Sequence, residues 1–537
     1  MITTRSLALE SYSLLEQLQS FKANPKVFMS DQKNIQKYLQ NYRIIAQDSI
    51  TGLPLEIEFQ SEEALSQVFT HFSQEIINSR EFVDIKNSFN EATREQTRPG
   101  RAAINQSNDD PAYLVDNLVF TKLEDMEKHG LRNATLHKTP WSGSYWPIYA
   151  GGLAMRYLDS QFPRSMDWHT NNSFILKTIS NYTDINSSSV DFLSPAEKYD
   201  LLVGDDNMTL TRSTLNDGKA YYERYGKVEP WMGICHGWAA AAIMEDRPSH
   251  AIKVTAVKGF KITFYPADIK ALAALLWAKS APRSKFVGQR CQIRNPPTDD
   301  NGRITDQTCF DTNPGTWHLA VINQIGVNKR SFILDATYDY EVWNQPAYAY
   351  EYSYFNPQTG QETKNVKDAI VSKTEFRDDV FKKWRNDPRT SSFVGIRMKF
   401  TYISETEPAA IKKDNKSNDR LISVNYLYDL ELDAQGNIIG GEWYHQQHPD
   451  FMWVPKNGSI AKSIGDQWLD NTLQQQQELW KHRQNNPIPS TWQKAALRSS
   501  RAGQPLMRVV KELIQKANEF DFLGIRIHQP GSCAIPM

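Results

Sequence analysis

A chain of 537 residues with 40% hydrophobic and 11% aromatic side chains can form well-packed cores, and its length predicts about two or three structural units. The formal net charge of −1 argues against the basic surface that nucleic-acid binding needs. The sequence has no apolar run of about 18 residues, so we expect no membrane span. We read no secretory signal at residues 1–18, which leaves the cytosol and a signal-independent secretion route both open.

Three regions differ in composition along the chain. Residues 1 to about 90 are polar, with apolar side chains at helical spacing such as Leu14, Leu15 and Leu18, and with a second set around Ile77. This pattern predicts amphipathic helices, and the Pro and Gly residues that follow predict a linker. We therefore divide the chain into a helical N-terminal region with its linker, a central domain and a helical C-terminal region: residues 1–112, 113–458 and 459–537.

One cysteine stands in a setting that favours reactivity. Cys235 lies between a turn rich in Gly, Pro and Trp and the alanine run that starts at Ala239. Because alanine is the best helix former, we predict a helix from Ala239 towards Glu245, with Cys235 at or near its start. Unpaired N–H groups and the helix dipole can lower a thiol pKa there to roughly 3.5–7.5. The residues alone leave two interpretations open, a nucleophile or a small buried cysteine.

The predicted elements beyond Cys235 alternate between strands and helices. Pro266 suits the first turn of a helix, and alternating apolar residues mark the strands. These patterns predict, in chain order, a strand at 251–262, a helix at 266–277, strands at 317–324, 331–338, 397–403 and 421–432 in an antiparallel sheet, and a last helix near 506–520.

The hairpin predicted from the strands at 317–324 and 331–338 brings a histidine near an acid. With the turn centred on residues 327 and 328, His318 pairs with residue 337, and Asp335 lies on the same face within diagonal reach. A one-residue slip would put Asp335 on the other face. We predict a hydrogen bond of about 2.6–3.2 Å between Asp335 and His318, with His318 facing Cys235.

The chain order Cys235, His318, Asp335 is that of papain-like and transglutaminase-like sites. In this interpretation His318 takes the thiol proton and later protonates a leaving amine, which typically contributes about 10²–10⁴-fold to the rate. Asp335 fixes the tautomer of the imidazole. The alternative for a single histidine is a hydrogen-bonded core residue.

Four tryptophans are candidate walls of the site. Trp141, Trp146, Trp231 and Trp238 would line a slot that excludes water, and Trp231 is also a candidate oxyanion donor. The alternative is that these side chains only fill the core.

Two further cysteines flank a polar loop. Cys291 and Cys309 are 18 residues apart, which predicts a disulfide worth about 3 kcal/mol by loop-closure entropy. The alternative is a pair of free thiols in a reducing cell. The four cysteines lack paired CxxC spacing, so we expect no metal site.

Several segments resemble one known family. Residues 233–238, GICHGW, resemble the catalytic segment of the transglutaminase-elicitor family of oomycete plant pathogens and some marine bacteria. Residues 342–346, VWNQP, resemble the start of the surface peptide by which plants detect that enzyme, and the sequence departs from that peptide after Pro346. The other similar blocks are 313–318, 334–341 and 438–443, and the resemblance covers roughly residues 135–455.

The resemblance implies a protein-glutamine γ-glutamyltransferase. The implied fold is an α+β, papain-like or transglutaminase-like core, with a central nucleophile helix on an antiparallel sheet and helical extensions at both ends. The implied partners are proteins with accessible glutamine and lysine side chains, and small primary amines. The chemistry requires no cofactor, and calcium dependence stays open. The alternatives are a cysteine peptidase or glutamine deamidase with the same triad, or a non-enzymatic secreted effector.

Overall fold

The computed structural model combines helices with an antiparallel sheet, which confirms the predicted α+β class. It describes residues 14–30, 109–179, 190–289, 296–306, 309–310, 312–336, 342–445, 448–472 and 479–519, together with the backbone of two short strands at 44–47 and 54–57. None of the helices in these parts of the chain has the length and apolar character needed to cross a membrane.

Local signals explain where several helices begin. Pro266 occupies the first turn of one helix, and the Asp268 carboxylate accepts a hydrogen bond from the N–H of Tyr265 at 2.8 Å. In chain order the α-helices are α1 (Leu14–Ala23), α2 (Pro25–Ser30), α3 (Leu123–Lys128), α4 (Trp168–Ile179), α5 (Pro195–Val203), α6 (Thr209–Tyr225), α7 (Cys235–Met244), α8 (Pro266–Ser280), α9 (Pro314–Val321), α10 (Val366–Ala369), α11 (Ile464–Thr472), α12 (Ser490–Arg501) and α13 (Met507–Asn518).

One large sheet forms the centre of the molecule. Its strands follow the order β13-β12-β11-β8-β7-β14-β6, and every neighbouring pair is antiparallel. In chain order the strands are β1 (Ile44–Gln47), β2 (Pro54–Ile57), β3 (Asn133–Thr135), β4 (Ile252–Thr255), β5 (Lys261–Phe264), β6 (Ser284–Gly288), β7 (Ile333–Asp335), β8 (Asn344–Phe355), β9 (Glu362–Thr363), β10 (Val371–Ser372), β11 (Ser392–Ser404), β12 (Arg420–Leu432), β13 (Ile438–Trp443) and β14 (Phe451–Pro455).

The sheet separates two hydrophobic cores. Along β14, Phe451 and Trp453 face one core, whereas Met452 and Val454 face the other, as the two-residue period of a strand requires. The first core, here the cysteine-side core, contains residues of α7, α8, α12 and α13. The second, here the α9-side core, contains residues of α9 and of the long strands β8, β11 and β12.

The closest helix pair in the cysteine-side core is α7 and α8. A Cβ atom at Gly237 would overlap the carbonyl oxygen of Ala274 and would come within 2.6 Å of the Ala278 methyl group. Only glycine leaves room for this approach. Small side chains on both helices are almost fully buried, so the two backbones pack against each other directly: Ala239 to Ala242 on α7, and Ala271, Ala273 and Ala274 on α8.

Two predictions for the N-terminal region are wrong. The predicted helical stretch includes the strands β1 and β2, which form an antiparallel pair. Leu15 is 47% exposed and does not share the buried face of Leu14 and Leu18, because that face runs through Gln17 and Phe21. The second predicted set, around Ile77, and most of the predicted linker lie outside the described residues.

Two further predictions fail in the central region. The single strand predicted at 251–262 is a hairpin of β4 and β5. The strand predicted at 317–324 is helical: α9 continues into a π-helix at Ile322–Val327. Asn313 accepts a hydrogen bond from the N–H of Gly315 at 2.8 Å and Pro314 stands at the first helical position, so this segment starts a helix.

Other predictions in the same region are confirmed. The predicted helix at 266–277 is α8, and the predicted strands at 397–403 and 421–432 lie inside β11 and β12. β7 occupies part of the strand predicted at 331–338. The last helix, predicted near 506–520, is α13.

We predict that Gly237→Ala lowers the free energy of unfolding by about 1–3 kcal/mol, because the added methyl group overpacks the contact with α8. This is the net expectation, since alanine favours a helix over glycine by about 1 kcal/mol. Gly440→Ala is the matched control: a Cβ there meets its nearest neighbour, Glu431, at an ordinary 3.8 Å. Urea denaturation measures both variants. A Gly237→Ala protein as stable as the parent would contradict the close packing.

Candidate active site

Cys235 is the first residue of α7, as predicted. The N–H of the preceding residue, Ile234, donates a hydrogen bond to the carbonyl of Tyr145 at 2.7 Å, which anchors the start of the helix to the 141–147 loop. Gly233 makes this contact possible, because a Cβ there would overlap the same carbonyl. The N–H of Cys235 donates no hydrogen bond to another described residue, as is usual for the first N–H groups of a helix.

Val342, just before β8, and Asn344, the first residue of β8, hold the thiol. Its Sγ donates to the carbonyl of Val342 at 3.6 Å, and the side-chain Nδ2 of Asn344 donates to Sγ at 3.4 Å. The other end of the Asn344 amide accepts a hydrogen bond from Trp453 Nε1 at 2.8 Å. An indole N–H is only a donor, so it fixes which end of the amide faces the thiol. Cys235, Asn344 and Trp453 are all buried.

Burial raises the pKa of the Cys235 thiol to about 11. Hydrogen bonds from Asn344 act in the opposite direction, and the charges of Glu405 and Asp335 raise the pKa further. The prediction of a lowered thiol pKa is therefore wrong for this arrangement. The helix start favours an anion, but removing the thiolate from water costs more than the helix terminus returns. At neutral pH the thiol is protonated.

Asp335 lies on the same side of the sheet as Cys235. It ends β7 and pairs in register with Asn344. Its neighbour two residues back, Ile333, packs in the cysteine-side core, and the alternation of the strand gives Asp335 the same face. The side chain is fully buried, and its charge acts on the thiol.

His318 lies in the other core. Its Nδ1 is 2.8 Å from the hydroxyl of Tyr428, and its ring meets that of Tyr352 edge-on with centroids 4.8 Å apart. Among the described residues its Nε2 has no hydrogen-bond partner. The side chain is completely buried, which lowers its pKa to about 3 and keeps the imidazole neutral.

The structure does not bring His318 to Cys235 or to Asp335. The partner of His318 on β8, Tyr352, lies eight residues beyond Asn344, or about 26 Å along the strand at roughly 3.3 Å per residue. The two side chains also face opposite cores. The predicted hydrogen bond between Asp335 and His318 is therefore wrong, because the predicted hairpin that would form it is replaced by α9. The catalytic role of His318 stays a prediction that this geometry does not support.

The four candidate tryptophans are core residues rather than walls of an open slot. Trp141, Trp146 and Trp238 are each at most 1% exposed, and the indole N–H of Trp238 donates to the carbonyl of Trp141 at 3.1 Å. Trp231 is 7% exposed, and its N–H donates to the Glu229 carboxylate at 2.8 Å, so it is not a free oxyanion donor.

One of the two cysteines of the predicted disulfide lies among the described residues. Cys309 is disulfide-bonded and fully buried. Its predicted partner, Cys291, lies outside the described residues, so the pairing stays a prediction. Among the described cysteines Cys235 is the free thiol.

Asn344, Trp453 and Glu405 are not among the residues predicted from sequence. Asn344 stands in the quoted VWNQP segment, where a buried amide at the start of a strand is a signal for a special role. Trp453 has no local signal, because only the pairing of β14 with β7 brings it to Asn344. Glu405 follows the last residue of β11, and its role depends on where that strand ends.

The fold and the site define an α+β protein with a buried cysteine at a helix start, held by an amide from a neighbouring strand. The model of the transglutaminase elicitor family matches residues 113–474, more than half of the chain, so this protein belongs to that family and the resemblance seen in the sequence is confirmed. Among solved structures, it is similar to the GP42 transglutaminase from Phytophthora sojae, at TM-score 0.43 and 21% identity over 64% of this chain and 88% of that chain. Comparison with curated proteins gives no match.

We predict that the thiol of Cys235 titrates near the raised pKa of about 11. Asn344→Leu should move the titration further upward, because it removes a hydrogen bond that favours the thiolate. The measurement is the ultraviolet absorbance of the thiolate against pH, taken as the difference between the parent and Cys235→Ser. Trp453→Phe, which removes the N–H that orients Asn344, should move the titration upward by a smaller amount. A midpoint in the acid-to-neutral range would contradict the burial argument.

Proposed function

We propose that this protein is a protein-glutamine γ-glutamyltransferase with Cys235 as its nucleophile. The observation that carries the proposal is the thiol at the start of α7, held by the Asn344 amide, in a chain of the transglutaminase elicitor family. The proposed catalytic unit is residues 113–458 with a papain-like core, flanked by helical regions at 1–112 and 459–537. The proposed substrates are proteins with accessible glutamine and lysine side chains, and small primary amines.

The proposed reaction has two steps. The sulfur of Cys235 attacks the γ-carboxamide carbon of a glutamine; the carbon–nitrogen bond breaks, and the nitrogen leaves as ammonia with the proton of the thiol. This gives a thioester. An amine nitrogen then attacks the thioester carbon, the carbon–sulfur bond breaks, and the sulfur regains a proton from the attacking nitrogen. Water in place of the amine would give a deamidated glutamate.

Two donors are suitably placed for the oxyanion of both steps. The N–H of Cys235 is free of hydrogen bonds to the described residues, and Asn344 Nδ2 already points at Sγ. Trp453 positions the amide before the substrate arrives. One such preorganised donor is worth about 2.7–4 kcal/mol of transition-state stabilisation.

Asp335 is the proposed acid–base partner of the thiol. It is buried on the cysteine side of the sheet and pairs in register with Asn344, whereas the imidazole of His318 faces the α9-side core. A carboxylate can act as a general base towards a group that it reaches. The thiol proton would pass to Asp335 and from there to the leaving nitrogen.

The thiol is only 5% exposed, so the glutamine must displace part of its cover. The contact between Sγ and the carbonyl of Val342 is the one that blocks attack directly. Acylation therefore requires at least this contact to open, which makes the described arrangement a resting state.

We expect Cys235→Ser to abolish incorporation of a labelled primary amine into a glutamine-containing protein, because the hydroxyl is a far weaker nucleophile in the same position. Mass spectrometry of the substrate protein and the release of ammonia measure both halves of the reaction. Full activity in the variant would overturn the proposal. Deamidation without amine incorporation would identify a deamidase, peptide-bond cleavage a peptidase, and no reaction with any substrate a non-enzymatic protein.

We expect Asp335→Asn to lower the rate of amine incorporation by about 10²-fold or more, because it removes the proton acceptor. His318→Gln should keep the rate within a few-fold, because its ring lies across the sheet from the thiol. Circular dichroism of both variants controls for folding, as each residue is buried. The reverse pattern, with His318 essential and Asp335 dispensable, would contradict the described geometry.

A further inference from the structure

Five residues lie on the three chain segments that converge near Cys235, namely the 143–149 loop, the residues before β8 and the residues after β11. This acidic aromatic mouth consists of Tyr145, Tyr149, Trp343, Glu405 and Glu407. Trp343 stands between Val342 and Asn344, which hold the thiol, and the carbonyl of Tyr145 anchors the helix start. The N–H of Thr406 donates to the carbonyl of Gly143 at 2.9 Å, which ties the segment of both glutamates to the loop that carries Tyr145.

The aromatic part of the mouth is only half-buried. The rings of Tyr145 and Trp343 meet edge-on, with centroids 5.3 Å apart at 66°. The hydroxyl of Tyr145 donates to the carbonyl of Pro230 at 2.9 Å, which holds its ring in place. Tyr145, Tyr149 and Trp343 each keep part of their surface in solvent, so they present ring area to a ligand approaching the thiol.

Within the part of the chain that the structure describes, the acidic part of the mouth has no paired cation. Burial raises the pKa of Tyr145, and the charges of Glu407 and Glu405 raise it further. Nowhere in the described chain does Lys, Arg or His form an ion pair with either carboxylate. Arg420 and Arg164 act on Glu405 and Glu407 only through longer-range charge interactions.

A buried amide oxygen beside Glu405 lacks a donor. Gln345 is 5% exposed, and its Nε2 donates to both oxygens of Glu405 at 3.1 Å. No group among the described residues donates to its Oε1. Leaving a buried acceptor without a donor costs free energy. Because this oxygen lies beside a carboxylate that has no cation partner among the described residues, a ligand that is both a cation and a hydrogen-bond donor would satisfy both groups.

We propose that the acidic aromatic mouth binds the primary ammonium group of the acceptor amine, the lysine side chain of a protein substrate. The inference rests on the proposed acyl transfer by Cys235. An ammonium carries three donors and no acceptor, which suits Glu405 and the free oxygen of Gln345. The methylene chain of lysine would lie along Trp343 and Tyr145, whose faces attract a cation.

In this proposal the mouth distinguishes the glutamine substrate from the amine substrate by their charge. A glutamine carboxamide is neutral and gains nothing from the carboxylates, whereas an ammonium is concentrated at the mouth and excludes water from it. The bound ammonium gives one proton to the Glu405 carboxylate, which frees its nitrogen lone pair to attack the thioester, and its second proton passes to the sulfur as the carbon–sulfur bond breaks. The mouth therefore favours cationic amines over water and over neutral amines as the acceptor of the thioester.

The test compares two small acceptors, n-butylamine, which is a cation at neutral pH, and methoxyamine, which is neutral. For Glu405→Gln we expect the ratio of their kcat/KM values, butylamine over methoxyamine, to fall by about tenfold, because only the cation loses a charge partner. Trp343→Leu should lower the same ratio. Glu362→Gln is the matched control, since that glutamate pairs in register at the far end of β8. An unchanged ratio in Glu405→Gln, or an equal fall for both amines, would overturn the proposal.

A binding measurement separates this proposal from the function on which it rests. The variant Cys235→Ala cannot react, so titration with n-butylammonium, followed by tryptophan fluorescence and calorimetry, reports the mouth alone. Binding that Glu405→Gln weakens would support the mouth even if the parent transfers no acyl group. Acyl transfer by the parent, without binding that depends on Glu405, would leave the proposed function standing and remove the acceptor site.

Discussion

The structure depends on the direct contact between α7 and α8. Because Gly237 lets the two backbones approach, the first turn of α7 lies deep in the cysteine-side core, and the thiol at its start is buried with it. The raised thiol pKa follows from this burial, as does the need for a donor from β8 to satisfy the sulfur. The same helix packing that buries the start of α7 also keeps the thiol protonated at neutral pH.

Asn344, at the start of β8, offsets part of the free-energy cost of burying the thiolate. Asn344 reaches the sulfur only because β7 and β14 lie beside it in the sheet, one pairing with it in register and the other supplying the Trp453 indole. Its hydrogen bond to the sulfur is weaker than a salt bridge would be, so it favours the thiolate without neutralising it. An amide donor of this kind is suited to a short-lived oxyanion rather than to a permanent charge.

The sequence was a good guide where local signals agree with the fold, and a poor one where tertiary contacts decide. The alanine run predicts α7 with Cys235 at its start, and Pro266 predicts α8, since propensity and turn chemistry act within a few residues. The segment after Asn313 forms a helix where the apolar alternation predicts a strand. When an apolar run is buried on every face, its hydrophobic periodicity does not distinguish a strand from a helix. The helix signals, Asn313 as N-cap and Pro314 at the first position, were present and are stronger than the apparent alternation. Strand pairing brings Asn344 to Cys235 and Trp453 to Asn344, and the end of β11 places Glu405 beside Gln345. No local pattern encodes these contacts.

The charges around the thiol are a compromise between the two halves of the proposed reaction. Glu405 and Asp335 raise the thiol pKa, which disfavours formation of the thiolate before acylation. After acylation the sulfur is a neutral thioester, so the negative charges do not oppose it until the thiol leaves. They then favour a cation at the mouth and accept the first proton of the ammonium, while the second proton passes to the departing sulfur. A carboxylate beside the thioester can accept a proton from water as well as from an amine, so proton transfer alone does not distinguish the two acceptors. Charge does distinguish them, because the carboxylates attract a cationic amine and not neutral water.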